Sequence, residues 1–238
     1  MKKTLIIGDI HQKLNRLNLA TENWQDKIIF LGDYFDDFGD TLEDVTKTAE
    51  WLKDSLTKEN RIHLIGNHDF HYLIKPKGAV YCSGFCPKKY ERINQILTEE
   101  DWSKLRFFHH EKETYWFSHA GITKYWFEHP VLGLNLAGIL KTVEECTEAL
   151  KASDFSRCNA LWAADRYRGG RYEKGGLLWN DWRNCDFFKG ITQIVGHTPR
   201  EEVKCSNKKG GTNINIDTHL TQVLELDLEN NSWEIRDL

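Results

Sequence analysis

The sequence predicts an α/β sandwich that contains a partly parallel sheet, formed by a single domain over residues 1–238. Two observations support this prediction: short apolar runs typical of buried strands recur along the chain, and amphipathic helical patterns lie between the early runs. Alternation of strand, helix and strand is typical of α/β folds, in which crossover helices join parallel strands. A chain of 238 residues is long enough to bury a sizeable core.

Five predicted strands each end in glycine or serine. In chain order they cover residues 4–8, 27–32, 61–66, 114–118 and 192–196. The clearest helix is predicted over residues 41–59, where Thr41 and Asp44 form a capping box ahead of an apolar stripe. Shorter helical patterns cover residues 12–22 and 90–97.

After Gly121 the alternation of strands and helices stops. Residues 134–153 form a helical pattern with no strand directly attached, and a segment rich in glycine and arginine follows. Strands return near the carboxyl terminus, at residues 212–218, 221–228 and 232–238. Asn230-Asn231 is predicted to be the turn of a hairpin. We interpret residues 124–189 as a helical, aromatic cap or insertion over the active edge of the sheet.

Composition and charge exclude several classes of protein. Hydrophobic residues make up 40% of the chain, charged residues make up 29%, and the net charge is −4, which indicates an ordinary soluble protein without general nucleic-acid binding. The sequence has no apolar run long enough for a membrane span and no signal-peptide pattern at its start. Six scattered cysteines without a CxxC pair argue against a zinc knuckle or a disulfide framework. We therefore expect a reduced, cytoplasmic protein.

Polar side chains with metal-binding chemistry follow each of the five strands. The motifs are Gly-Asp-Ile-His, Gly-Asp-Tyr-Phe-Asp, Gly-Asn-His-Asp, Ser-His-Ala-Gly and Gly-His-Thr. Ligands of open α/β sheets bind beyond the carboxyl ends of the strands, so these residues are expected along one rim. Mixed carboxylate, amide and imidazole donors suit Mn²⁺, Fe²⁺ or Zn²⁺, and their number suits two metals bridged by one carboxylate. Taken alone, each aspartate could be a turn or cap residue and each histidine a core residue.

In this order, the five motifs resemble those of the calcineurin-like metallophosphoesterases, closest to the phosphoprotein-phosphatase branch and its bacterial and phage Ser/Thr phosphatases. They run from Asp9 to His197, and "GLLWNDW" and "INIDT" resemble further stretches of this branch. The resemblance implies a β-sandwich flanked by helices in four layers, α/β/β/α. It also implies a phosphatase that hydrolyses phosphate monoesters with two divalent transition-metal ions, first of all manganese, with iron or zinc as alternatives.

The resemblance further assigns roles to individual residues. It implies that six residues hold the metals: Asp9 and His11 the first ion, Asp33 both ions, and Asn67, His119 and His197 the second. His68 is implied to be the general acid, and Asp36 is implied to be the carboxylate that orients it. In this mechanism a metal-bridging hydroxide attacks phosphorus directly, and no covalent phosphoenzyme forms.

The sequence also gives expectations for four neighbouring histidines and aspartates. His68 could be a further metal ligand instead of an acid. Asp69 is expected to anchor its loop, and His63, which lies within a strand, is expected in the core. His71 is expected to make local hydrogen bonds, although its position in "GNHDFHYL" puts it near the rim.

The sequence departs from this branch at two positions. Asp37 occupies the place of the arginine that clamps the substrate phosphate in the relatives, and Gln12 replaces a glycine after the first histidine. An aspartate repels phosphate, so either Asp37 points away or the substrate is held differently. At least one arginine of the predicted cap is expected to supply the missing cation, and the candidates are Arg166, Arg168, Arg171 and Arg183.

Two other functions remain open. The lost arginine and the aromatic cap also suit a hydrolase of nucleotide phosphoanhydrides or phosphodiesters, similar to diadenosine tetraphosphatases or cyclic-nucleotide phosphodiesterases. The cap contains four tryptophans, Trp126, Trp162, Trp179 and Trp182, and tryptophans at this spacing more often pack a cap onto a sheet. A binding module with a degenerate metal site is the third hypothesis. We expect the partner to be a phosphorylated substrate, either a phosphoprotein or a small phosphate ester or nucleotide, and expect no membrane partner.

Overall fold

The structure is a computed structural model that describes residues 3–74 and 82–238. The chain divides into two compact units. Unit 1 comprises Met1–Arg106, Pro199–Val203 and Ile216–Leu238, and unit 2 comprises Phe107–Thr198 and Lys204–Asn215. Among the described residues, each unit contains one five-stranded sheet.

Strands and helices alternate from Thr4 to Leu73, and the chain ends in a run of five strands. The strands in the described part of the chain are β1 (Thr4–Ile7), β2 (Lys27–Phe30), β3 (Arg61–His63), β4 (Phe108–Glu111), β5 (Tyr115–Ser118), β6 (Thr192–Val195), β7 (Lys204–Lys208), β8 (Gly211–Asn215), β9 (Gln222–Asp227) and β10 (Ser232–Asp237). The helices in the same residues are α1 (Leu14–Thr21), α2 (Leu42–Ser55), α3 (Asn67–Leu73), α4 (Pro87–Ile96), α5 (Glu99–Lys104), α6 (Lys124–Phe127), α7 (Leu136–Lys151) and α8 (Asn159–Trp162).

The sheet of unit 1 has the strand order β10-β9-β1-β2-β3. The interior strands β1 and β2 and the edge strand β3 run parallel. Leu5 pairs with Ile28, and Ile29 pairs with Ile62. Parallel strands are covered on both faces, which explains why these segments are almost continuously apolar. Because the three strands run in one direction, the residues that follow them lie at one edge of the sheet.

The sheet of unit 2 has the strand order β4-β5-β6-β8-β7. Strands β5, β6 and β8 run parallel, and the outer strands β4 and β7 are antiparallel to their neighbours. His119 directly follows β5, and His197 follows β6 after one intervening residue, so these histidines lie at the same edge of this sheet.

The structure confirms the predicted mixed α/β fold class, with two five-stranded sheets among the described residues. All eight predicted strands and all four predicted helices are present, with ends that differ by a few residues. The predicted hairpin is also present, because β9 pairs antiparallel with β10 across a turn in which Asn231 has a φ of +51°. Strands β4 and β7 were not predicted, since both are edge strands with mostly polar side chains. The boundaries of the proposed cap remain a prediction.

Two general features of the described residues bear on the sequence predictions. No helix among them combines the length and the apolar character of a membrane span. All six cysteines are free thiols, and four of them are buried: Cys82, Cys146, Cys158 and Cys185.

Helix α2 offers a test of the predicted capping box. The Thr41 hydroxyl accepts the amide of Asp44 at 3.2 Å, and the Asp44 carboxylate accepts the amide of Thr41 at 3.0 Å. We expect Thr41→Ala to lower the free energy of unfolding by about 1 kcal/mol, because an amide of the first turn loses its partner. Urea unfolding would measure this loss. Glu50→Ala, at an exposed position of the same helix, is the control and should change stability by less than about 0.5 kcal/mol. Equal effects of the two substitutions would contradict the assignment.

Candidate metal centre

In unit 1, hydrogen bonds join the loop after β1 to the loop after β2. The amides of Ile10 and His11 both donate to the carbonyl oxygen of Asp33, at 3.0 and 2.8 Å. This arrangement places His11 Nε2 3.7 Å from Asp33 Oδ2 and 4.0 Å from Asp9 Oδ2. Both carboxylates are buried, with 2% of each residue exposed. Two motifs from separate strands therefore meet at the same edge of the sheet.

The donor atoms of this group fit a divalent cation. His11 Nδ1 lies 2.9 Å from the carbonyl oxygen of Phe35, so it carries the proton and leaves the lone pair of Nε2 facing the carboxylates. Burial lowers the pKa of His11 in spite of the nearby Asp33 carboxylate, which favours the neutral imidazole that a metal requires. Ligand atoms at about 2.1 Å from one ion lie about 3–4 Å apart, which matches the separations observed here.

The backbone around Asp33 is held in uncommon conformations. Asp33 has a φ of +52°, and the preceding Gly32 has a φ of +100°, a value that favours glycine. A Cβ atom on Gly66 would lie 2.1 Å from Asp33 Oδ1. A glycine at position 66 therefore allows the loop after β3 to approach the loop after β2. His11 and Asp36 also have positive φ values, +42° and +65°. Such strain is concentrated at functional sites.

Asp69 anchors these loops, as the sequence predicted. The residue is fully buried, and its carboxylate accepts the amides of Asp33, Tyr34 and Gly66 at 2.7, 2.8 and 2.8 Å. Removing a buried acceptor of this kind leaves several amides without partners, which costs about 1–3 kcal/mol for each.

His63 lies in the core, also as predicted. It is 2% exposed and lies between the Tyr34 hydroxyl at 3.0 Å and the Ser55 hydroxyl at 2.9 Å. Its ring stacks on Phe30, with the ring centroids 4.5 Å apart. Burial lowers the pKa of His63 to about 3, so this histidine is neutral and structural.

The third motif begins α3 and brings several polar side chains to Asp36. Asn67 is the buried first residue of the helix, and the amide of His68 donates to Asp33 Oδ1 at 2.8 Å. His68 Nδ1 lies 3.1 Å from Asp36 Oδ2. We use the term Asp36 cluster for six residues: Asp36, His68, His71, Tyr72, Cys82 and Lys89.

The charges in the Asp36 cluster stabilise one another. Burial opposes ionisation of Asp36, but hydrogen bonds from His68, His71 and Tyr72 hold the pKa of this carboxyl well below its usual range. Burial also opposes the charged form of His68, but the carboxylates of Asp33 and Asp36 raise its pKa to about 12. A cation next to Asp33 would reduce this value. The geometry gives an imidazole that a buried carboxylate orients.

In unit 2, the two histidines that follow β5 and β6 lie together. His119 Nε2 is 3.1 Å from His197 Nδ1, and the amide of Gly196 donates to the carbonyl oxygen of His119 at 2.8 Å. Both histidines are buried, and the ring of Trp179 contacts His197 edge-on with centroids 5.5 Å apart. Two imidazole nitrogens at this separation are placed to share one cation.

Of the four candidate arginines, Arg168 lies beside this histidine pair. Its Nη2 donates to the Thr198 hydroxyl at 2.7 Å, and Thr198 directly follows His197. Its Nε lies 3.2 Å from the buried carboxylate of Asp181, which restrains the guanidinium. The structure therefore places the positively charged Arg168 side chain next to His197, one of the predicted metal ligands.

The other three arginines have different surroundings. Arg183 Nε pairs with Asp181 at 2.8 Å, and its guanidinium lies 3.8 Å above the ring of Tyr167. Arg171 donates to the hydroxyl of the next residue in the chain, and both Arg166 and Arg171 are exposed. Arg183 restrains the same carboxylate as Arg168, whereas the other two lie on the surface of unit 2.

The two departures from the family pattern are structurally linked. The Gln12 side chain accepts the amide of Asp37 at 3.3 Å, and Lys13 Nζ pairs with the Asp37 carboxylate at 3.4 Å. The aspartate that replaces the clamping arginine is thus held and partly neutralised by the loop after β1. This pairing reduces the repulsion that Asp37 exerts on an anion.

Sequence reasoning missed part of the Asp36 cluster. Tyr72 donates to Asp36 Oδ1 at 2.6 Å, and Lys89 Nζ lies 3.1 Å from the same oxygen. His71, expected to make local hydrogen bonds, is buried with its Nε2 2.9 Å from Asp36 Oδ2. A helix predicted over the third motif would have placed both His71 and Tyr72 one turn after His68. Neither Cys82 nor Lys89 has such a local signal.

Known proteins resemble this chain in sequence family and in fold. The family model for calcineurin-like phosphoesterases matches residues 2–201. Among curated proteins no sequence matches significantly. The fold is similar to that of the cold-active protein-tyrosine phosphatase of the psychrophile Shewanella sp., with a TM-score of 0.63 and 14% identity over 99% of this chain and 80% of that chain. It is also similar to a Saccharomyces cerevisiae serine/threonine phosphatase described as similar to human phosphatase PP5, with a TM-score of 0.52 and 14% identity over 100% and 80% of the two chains.

Proposed function

We propose that this chain, which belongs to the calcineurin-like phosphoesterase family, hydrolyses phosphate monoesters in the manner of a protein phosphatase. Membership of the family makes it a metal-dependent phosphoric ester hydrolase. The observation that supports the finer proposal is the position of His68, which is held by Asp36 at 3.1 Å and by Asp33 through its amide at 2.8 Å. Monoester hydrolysis needs such an acid, because the leaving oxygen must gain a proton.

Two divalent ions, first of all manganese, are proposed as cofactors. The proposed ligands are Asp9 and His11 for the first ion, Asp33 for both, and Asn67, His119 and His197 for the second. Bound ions supply Lewis acidity, because they lower the pKa of a water molecule and neutralise charge on phosphoryl oxygens. Support comes from the grouping of three ligands in unit 1 and from the imidazole pair in unit 2.

The protein's own residues then have separate tasks. His68, charged and oriented by Asp36, donates its proton to the leaving-group oxygen. Asp33 accepts a hydrogen bond from the His68 amide, which fixes the distance between the proposed acid and the proposed bridging ligand. Arg168, restrained by Asp181, is proposed to bind the phosphate in place of the arginine that the sequence lacks at Asp37. Residues 124–189, which contain Arg168, are proposed to act as the substrate-binding insertion.

The role of Arg168 can be tested by substitution. We expect Arg168→Ala to lower kcat/KM for a phosphomonoester about 10–100-fold, since hydrogen bonds to a charged group contribute about 1.5–3 kcal/mol. Arg168→Lys should recover part of this loss. Steady-state kinetics would measure both. Arg171→Ala is the matched control, because this exposed arginine lies in the same segment, and it should leave kcat/KM unchanged. An identical loss in the two alanine variants would assign the effect to general surface charge.

A substrate panel tests the proposed function as a whole. The purified protein would be freed of metal by chelation and assayed with Mn²⁺, Fe²⁺ or Zn²⁺ on phosphoserine and phosphotyrosine peptides, aryl phosphates, diadenosine tetraphosphate and cyclic nucleotides. We expect manganese-dependent release of phosphate from the peptides and the aryl esters. No hydrolysis of any monoester with any of these metals would overturn the proposal.

The nucleotide alternative retains one supporting observation. Tyr125 and Tyr167 of the insertion are 63% and 57% exposed, and exposed aromatic rings can stack on a nucleobase. The four tryptophans are half-buried, which agrees better with packing than with base stacking. A preference for diadenosine tetraphosphate or cyclic nucleotides over the peptides would establish this alternative.

A further inference from the structure

We propose that Asp36, His68 and Cys82 form an additional zinc site, distinct from the ligands assigned to the two catalytic ions. One oxygen, one nitrogen and the sulfur of these residues lie within 4.8 Å of one another. Asp36 and Cys82 are buried, and the His68 side chain is 18% exposed, so the group is accessible from one side. Thiolate and imidazole ligands together favour zinc over manganese or magnesium.

The distances within this group agree with tetrahedral coordination. Zinc binds nitrogen at about 2.0 Å and sulfur at about 2.3 Å, so tetrahedral ligands lie about 3.5 Å apart for a nitrogen–sulfur pair and about 3.3 Å for a nitrogen–oxygen pair. His68 Nδ1 lies 3.5 Å from Cys82 Sγ and 3.1 Å from Asp36 Oδ2. Both separations that involve His68 Nδ1 therefore match a tetrahedral zinc site, and the oxygen and the sulfur lie within 4.8 Å of each other. A water molecule can complete the tetrahedron.

Neighbouring groups orient the proposed ligands. Tyr72 and Lys89 both contact Asp36 Oδ1, which turns Oδ2 toward His68. The Cys82 amide donates to His71 Nδ1 at 3.3 Å, which fixes the backbone of the cysteine. Outer contacts of this kind position metal ligands and are part of a built site.

The local charge also permits a dication. The positive charge of Lys89 is offset by Asp40, whose Oδ2 lies 2.6 Å from Lys89 Nζ. Asp36 and a Cys82 thiolate then supply two negative charges to the metal. The proposed hydrolysis gives no role to a thiol, so it does not account for the contact of Cys82 Sγ with both His68 and His71 at 3.5 and 3.0 Å.

Zinc at this position has a consequence for catalysis that rests on the proposed function. The ion would occupy His68 Nδ1, the nitrogen that Asp36 orients at 3.1 Å. Asp36 would then bind the metal instead of orienting the imidazole, and His68 could no longer act as the acid that protonates the leaving group. Zinc is therefore expected to inhibit the enzyme while the proposed catalytic ions remain bound.

Cobalt spectroscopy tests the site without relying on activity. Cobalt would be added to the full-length, manganese-loaded protein, and the thiolate-to-cobalt charge-transfer band in the near ultraviolet would be recorded. The ligands assigned to the catalytic ions contain no sulfur, so this band reports on a cysteine. We expect it in the wild type and in Cys86→Ala, the control with a neighbouring half-buried cysteine, and we expect none in Cys82→Ser. Absence of the band in the wild type, or its persistence in folded Cys82→Ser, would overturn the proposal.

Zinc inhibition provides a second readout. The zinc concentration that halves phosphatase activity should rise at least about tenfold in Cys82→Ser relative to the wild type and to Cys86→Ala. An unchanged value would refute the inhibitory role. Circular dichroism and thermal unfolding would check that Cys82→Ser is folded, and Cys82→Ala provides a second variant. If the protein hydrolysed no monoester, the cobalt band would still decide whether the zinc site exists.

Discussion

The variant His68→Asn is expected to lower kcat for an alkyl phosphate by about 10²–10⁴-fold, the range typical of a lost general acid. Asparagine preserves a polar side chain of similar length but cannot transfer a proton. In the wild type, the carboxylates of Asp33 and Asp36 raise the pKa of His68 against the opposing effect of burial, and Asp36 orients the ring at 3.1 Å. Steady-state kinetics with the manganese-loaded enzyme would give the change in kcat, and metal analysis would show whether the ions are retained.

Comparing leaving groups separates acid catalysis from other roles of His68. An aryl phosphate whose phenol is acidic needs little protonation, so His68→Asn should impair its hydrolysis much less than that of an alkyl phosphate. His110→Asn is the control, because His110 lies in β4 of unit 2 and hydrogen-bonds the carbonyl oxygen of Lys112 at 2.8 Å. It should leave both rates unchanged. Equal losses for the two substrates in His68→Asn would indicate a metal ligand instead of an acid.

The elements that the sequence predicts well are those that burial determines. Strands β1 and β2 are buried on both faces of their sheet, so nearly every side chain is apolar and the sequence shows a continuous apolar run. Strand β7, with the sequence Lys-Cys-Ser-Asn-Lys, is an edge strand whose side chains are largely exposed. Its pairing with β8 determines its conformation, and nothing in its own composition indicates a strand.

The candidate site divides in a similar way. The residues directly after the parallel strands could be predicted, because strand direction alone brings Asp9, His11 and Asp33 to one edge. Cys82 and Lys89 could not, because they reach Asp36 and His68 through tertiary packing from positions with no common spacing. Burial and the choice of partner decide their roles, and both are properties of the folded chain.

The variant Asp33→Asn is expected to reduce the metal content from the proposed two ions per chain toward zero and to reduce hydrolysis to the background rate. Asparagine keeps the shape of the side chain but removes the negative charge of the only residue proposed to contact both ions. Asp33 Oδ1 accepts the His68 amide at 2.8 Å and Oδ2 faces His11 at 3.7 Å, so each oxygen already has a fixed direction. Native mass spectrometry would count the ions, and a phosphate-release assay would measure the rate.

A folded control decides whether loss of metal follows from the site itself. Asp54→Asn removes a carboxylate from α2 whose ion pair with Lys58, at 2.7 Å, is exposed and contributes little to stability. It should keep both ions and full activity. We expect Asp33→Asn to fold, because the substitution leaves the loop anchor Asp69 in place. Circular dichroism would verify this. If folded Asp33→Asn retained two ions and the wild-type rate, Asp33 could not be the bridging ligand, and the binuclear proposal would fail with it.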